Sequence, residues 1–132
     1  MCDIDHFKRV NDVYGHQEGD VVLREFARIL SDTTRPKIDW VARYGGEEFV
    51  IVLPETTVEG AASLAERTRQ KVAAATISAG SEELRITASF GVRGFDSPPA
   101  GGVSPEALIG GADELLYQAK EGGRNRVVSG PV

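Results

Sequence analysis

The stretch RYGGEEFVIVLP, positions 43–54, constrains this chain more than any other. Two strand-like runs, 38–44 and 47–53, are separated by Gly45 and Gly46, the two-residue spacing of a hairpin whose turn needs positive φ. The second run is apolar on both alternating faces, which predicts a central strand covered on both sides by helices. Helical spacing recurs around it. Phe7, Val10 and Val13 form one short stripe that Asp5 can cap and Gly15 can stop. Val22, Leu23, Phe26, Ile29 and Leu30 form a second stripe over about 19–31, and the Ala-rich run from 58 to about 75 forms a third. A strand pattern, RITASFGVRGF, covers 85–95. After a Pro/Gly-rich loop at 96–105, an Ala/Leu helix with a capping-box start runs over 104–121, Gly122 and Gly123 end it, and RVV at 126–128 closes as a strand. Long helices alternate with strands while the hairpin forces antiparallel pairing. The fold class is therefore α+β, a mixed and largely antiparallel sheet flanked by helices.

A chain of 132 residues suits one compact domain. With 41% hydrophobic and 27% charged residues the composition is that of an ordinary globular protein. A formal net charge of −5 disfavours broad binding to nucleic acid or to an anionic membrane, so a phosphate ligand needs a local site. The single cysteine, Cys2, permits no internal disulfide, and no apolar run is long enough to span a bilayer; a cytoplasmic location is the default reading.

The adjacent Glu47 and Glu48 at the mouth of the hairpin have a counterpart in the opening MCDIDHF, where Asp3 stands at a strand-to-helix handover. Asp3, Glu47 and Glu48 offer the oxygen ligands that Mg²⁺ prefers. Successive strand residues point to opposite faces, so the two glutamates meet at one ion only if the turn re-aims one of them. The competing reading pairs Glu48 with Arg43 across the hairpin.

The blocks DIDHFKRVNDVYGHQEGD (3–20), RYGGEEF (43–49), ASFGV (88–92) and ADELLYQAKEGGRNRV (112–127) resemble, in order and spacing, those of the GGDEF family of diguanylate cyclases, with GGEEF as an accepted variant of the signature. The resemblance covers nearly the whole chain. It implies a nucleotide-cyclase or palm-like GGDEF fold and a catalytic domain over 1–132. It further implies Mg²⁺- or Mn²⁺-dependent condensation of two GTP into cyclic di-GMP, a bacterial second messenger, by a homodimer of half-sites.

Residue by residue, Asp3, the Ile4 carbonyl, Glu47 and Glu48 match the metal ligands, with Glu47 also tied to activation of the 3′-hydroxyl. Gly45 and Gly46 match the close approach to phosphates, where a Cβ would stand off the ligand. Asn11 and Asp20 match the guanine-reading pair; by themselves they read as a helix-end polar residue and a first-turn acid. Backbone N–H groups near His6 and Phe7, with Lys8, Lys120 and Arg124, match the phosphate contacts. Lys120 alone reads equally as a last-turn cation on a helix dipole. Asp5 is expected to be an N-cap, and His16 and Trp40 to be structural.

Two departures follow. The family's leading helix and most of its first strand are absent before Met1, so the chain reads as N-terminally truncated and as lacking the usual N-terminal sensor or receiver domain. The family's product-inhibition pattern, RxxD, is out of register: Asp39 is in place, Pro36 occupies the position of the arginine, and Arg35 lies one residue too far, although Arg67 matches a secondary contact. That site is expected to be weak or absent. A domain that binds GTP or c-di-GMP without turnover is the alternative function.

Overall fold

The computed structural model describes residues 1–132. Seven strands and four helices follow in the order β1 (Cys2–Ile4), α1 (Phe7–Tyr14), α2 (His16–Thr33), β2 (Trp40–Gly45), β3 (Glu48–Val52), α3 (Val58–Ala74), β4 (Ile77–Ala79), β5 (Glu82–Leu84), β6 (Ala88–Gly94), α4 (Pro105–Glu121) and β7 (Val127–Pro131). The main sheet has the order β2-β3-β1-β6-β7, antiparallel except for the parallel β6–β7 pair. The α+β class expected from the hairpin is what forms. β1 lies at the centre, with Asp3 opposite Glu48 on one side and Ser89 on the other.

The helices form where spacing and punctuation direct them. Gly15, at φ +95°, ends α1 and also stands at the N-cap of α2, which begins three residues earlier than its apolar stripe. Val22, Phe26, Ile29 and Leu30 of α2 pack on Cys2, Ile4, Phe49 and Phe90 of the sheet, and the Phe26 and Phe49 rings meet edge-on at 5.3 Å. Thr57 caps α3 through Gly60 N, and Ser104 caps α4 through Ala107 N. With Ala107 at N3, the α4 start is a simple cap rather than the expected capping box. On the opposite sheet face α4 comes close to β6: a Cβ on Gly91 would lie 2.1 Å from the Ala112 carbonyl and 2.3 Å from Leu116 N.

Several expectations are corrected. The hairpin turn is Gly46-Glu47, not Gly45-Gly46: Gly45 pairs with Glu48 at the end of β2, a bulge lies between Arg43 and Gly45, and only Gly46 has positive φ (+50°). Arg43 consequently faces Phe49 and not Glu48, and its Nε donates to Gly46 O at 2.7 Å. β3 is covered on both faces only in part: Phe49 and Ile51 face the α2 core and Val50 packs on the cluster of Met1, Ala112 and Leu116, whereas Val52, beside an apolar cavity, is 51% exposed. Trp40 is 70% exposed on the edge strand and is no part of the core. The strand expected from 85 begins at Ala88, and the short β4–β5 hairpin before it was not anticipated.

Candidate active site

The site is assembled where β1 hands over to α1. Thr87 O accepts from Asp5 N, and His6, in the left-handed region at φ 54°, turns the chain off the strand. No side chain caps α1, so its first-turn N–H groups have no side-chain acceptor and are suited to an anion. Asp5 is not the N-cap. Its buried carboxylate accepts from Thr87 Oγ1 (2.7 Å), Ser89 Oγ (2.7 Å) and the backbone N of Asn125 (3.0 Å), tying β1 to β6 and to the turn after α4. That turn carries Arg124 and Asn125, both at positive φ, so the phosphate cation inferred from sequence sits on a segment anchored by Asp5.

A cavity of about 380 Å³, large enough for part of a nucleotide, is lined by Phe7, Lys8, Asn11, His16, Asp20, Leu23, Arg43, Gly46 and Glu47. One concave surface thus brings together the candidate base-reading pair, one candidate phosphate cation, and the turn with its glutamate. His16 and Arg43 were not singled out for this surface by sequence. Gly19 is a further omission: a Cβ there would lie 1.9 Å from Asn11 Oδ1 and 3.4 Å from the Phe7 ring, so only glycine leaves Asn11 its place between α1 and α2. Its one sequence signal was a glycine at the start of a helical pattern. A larger cavity of about 710 Å³, between the sheet, α3 and α4, is walled mainly by residues such as Val50, Leu64, Val92 and Ile109 and lacks the site's convergent polar groups.

Beside the smaller cavity, Asp3 lies opposite Glu48, and Ile4 N donates to Glu47 O at 3.4 Å. Asp3 is buried and its carboxyl is pushed up to about 6, first by burial, against the opposing pull of Lys120 and with added repulsion from Glu47 and Glu48. Lys120 Nζ, from the last turn of α4, donates to Asp3 Oδ2 at 2.6 Å. The three acids are neighbours, but no three acidic, histidine or cysteine side chains converge on a point suited to a metal ion. The donor chemistry fits a hard cation, and the cation held at Asp3 is an ammonium.

Arg35 and Asp39 come together away from this site. Arg35 Nη2 donates to Asp39 Oδ1 (2.6 Å), Pro54 O (2.8 Å) and Thr56 Oγ1 (2.9 Å), and the Arg35 backbone N donates to Asp39 Oδ2 (2.7 Å). Arg67, exposed on α3, is hydrogen-bonded to neither.

With this geometry in view, comparison with known proteins defines the class. Residues 1–126 match the family model "Diguanylate cyclase, GGDEF domain". The chain is 50% identical over 131 residues to the response regulator PleD of Caulobacter vibrioides, covering 97% of this chain and 28% of that one. It is 42% identical over 127 residues to diguanylate cyclase A of Treponema denticola, covering 96% and 33%. Among solved structures, the GGDEF domain of DgcB from Caulobacter crescentus in complex with c-di-GMP superposes with a TM-score of 0.87 at 37% identity, over 97% of this chain and 74% of that one. The active GGEEF domain of a diguanylate cyclase from Vibrio cholerae gives 0.85 at 37%, over 97% and 78%. This chain belongs to the GGDEF family of diguanylate cyclases, and it spans about a third or less of the length of those two curated relatives. No helix is long and apolar enough to cross a membrane.

Proposed function

We propose that this chain condenses two GTP molecules into cyclic di-GMP, one GTP per protomer in a head-to-head homodimer. The observation that carries this reading is the single cavity joining Asn11 and Asp20 to Lys8, Gly46 and Glu47. Guanine presents N1–H and an exocyclic amino group, and the Asp20 carboxylate with the Asn11 amide can accept from them; adenine lacks that donor pair. Phosphates lie against the uncapped start of α1 at His6 and Phe7, with Lys8, Lys120 and Arg124 as cations. Gly46 lets the turn approach them, and Glu47 accepts the proton as each 3′-oxygen bonds to the partner nucleotide's α-phosphorus. The α–β phosphoanhydride bond breaks and pyrophosphate leaves. Asp3, the Ile4 carbonyl, Glu47 and Glu48 would hold Mg²⁺ or Mn²⁺, which when bound supplies positive charge against the triphosphate.

The product is two-fold symmetric and one chain offers one GTP site, so turnover needs two chains. In a longer polypeptide, an N-terminal sensor or receiver domain would set that pairing. The cytoplasm, where GTP is available, is the corresponding location. Nucleotide-selective stabilisation tests the reading: with Mg²⁺, GTP should raise Tm where ATP does not, and Asp20→Ala should abolish the difference. Equal stabilisation by ATP would contradict guanine recognition.

A further inference from the structure

The contact between α4 and the central strand is not explained by a phosphate role for Lys120 alone. Its Nζ sits 2.6 Å from Asp3 Oδ2, joining residues 117 positions apart. The Asp3 side chain is 7% exposed and that of Lys120 is 29% exposed. Lys120 is the one side chain hydrogen-bonded to Asp3, and Asp3 is its one hydrogen-bonded acceptor. The neighbouring Ser89 hydroxyl is committed to Asp5. Glu48 stands directly across from Asp3, and Glu47 adds further negative potential. This negative surrounding favours a cation at Asp3, and an ammonium supplies it. Arg124, the other candidate phosphate cation near this end of α4, follows four residues later, in the turn that Asp5 anchors through Asn125 N.

We propose that Lys120 is a resident counter-ion that occupies the cation seat at Asp3 until a triphosphate draws it away, so that cation and nucleotide binding are coupled through this one side chain. The inference rests on the reading of Asp3 as a cation ligand and of Lys120 as a phosphate contact. A divalent cation and an ammonium on one carboxylate repel each other, so a metal arriving alone competes with Lys120 for Asp3. A triphosphate offers the displaced ammonium new acceptors and so tightens metal binding; by linkage, metal tightens triphosphate binding to the same degree.

The test is Mn²⁺ binding followed by electron paramagnetic resonance on the nucleotide-free protein. Lys120→Met should bind Mn²⁺ about fivefold or more tightly than wild type, within the usual range of coupling between sites. The gain in Mn²⁺ affinity caused by a non-hydrolysable α,β-methylene GTP analogue should be smaller in the variant than in wild type. Lys120→Gln repeats the measurement if the methionine variant unfolds. Equal or weaker Mn²⁺ binding by the folded variants would overturn the proposal. Asp3→Asn should remove Mn²⁺ binding in either background. Mn²⁺ binding that survives Asp3→Asn would overturn the cation-site reading itself, and with it the exchange.

Discussion

Individual side chains here act through a few close approaches. Gly19 is the sharpest case. The 1.9 Å approach that an added Cβ would make falls on the end of the Asn11 side chain, which can swing aside. Gly19→Ala should therefore raise the KM for GTP several-fold while shifting Tm little; an unchanged KM would remove Asn11 from base recognition. Asp39 supplies a pH signature. The Arg35 guanidinium holds its carboxyl below the usual carboxylate range, so the pair's contribution to stability is fully present above the ordinary carboxylate pKa of about 4 and is lost as pH falls through the lower folded-state value. Asp39→Asn should lower Tm by a constant amount above pH 5, and the difference should shrink below about pH 4 in thermal melts. Burial pushes the Cys2 thiol up to about 12, so native protein should resist iodoacetamide at neutral pH and react on unfolding.

At the scale of elements, the seat of α4 on β6 sets where Lys120 and Arg124 stand. Because the Cβ of an alanine at 91 would meet backbone atoms of α4 that cannot step aside, Gly91→Ala should cost about 1–3 kcal/mol in chemical denaturation. It should also weaken triphosphate binding by displacing the end of α4. The four helices were legible in the sequence because each carries an apolar or Ala-rich stripe, bounded by a glycine or a capping residue where Gly15 and Ser104 stand, whereas the Thr57 cap of α3 was not read. The hairpin was legible as a hairpin but not in register: the bulge between Arg43 and Gly45 moves the turn by one residue, and no local residue preference marks it. The same slip places Glu47 in the turn and Glu48 in β3, which is how two adjacent carboxylates acquire different surroundings. β4 and β5 were missed because three-residue strands are too short to show a period. Asp5 misled for a related reason: an aspartate ahead of a helix looks like a cap, and only long-range folding brings Thr87, Ser89 and Asn125 to it.

For the whole molecule, the candidate site residues were nameable from the spaced blocks, whereas their present partners were not. The Lys120–Asp3 contact spans nearly the whole chain and depends on how α4 crosses the sheet. In the Arg35–Asp39 clasp the arginine's Nε and Nη2 are engaged by Asp39, Pro54 and Thr56, and weak product inhibition remains the expectation. Titrating c-di-GMP into Asp20→Ala should show no saturable binding, because product would have only the active half-site; binding equal to wild type would restore a separate inhibitory site. The central claim concerns a reaction completed between two copies of one domain. The most direct measurement is c-di-GMP formation from GTP and Mg²⁺ as a function of protein concentration, with Glu47→Ala and Glu48→Ala as controls. Rate per protein that rises with concentration and vanishes in the controls is the predicted result; folded protein that binds GTP but forms no product at any concentration would contradict it and leave a nucleotide-binding module.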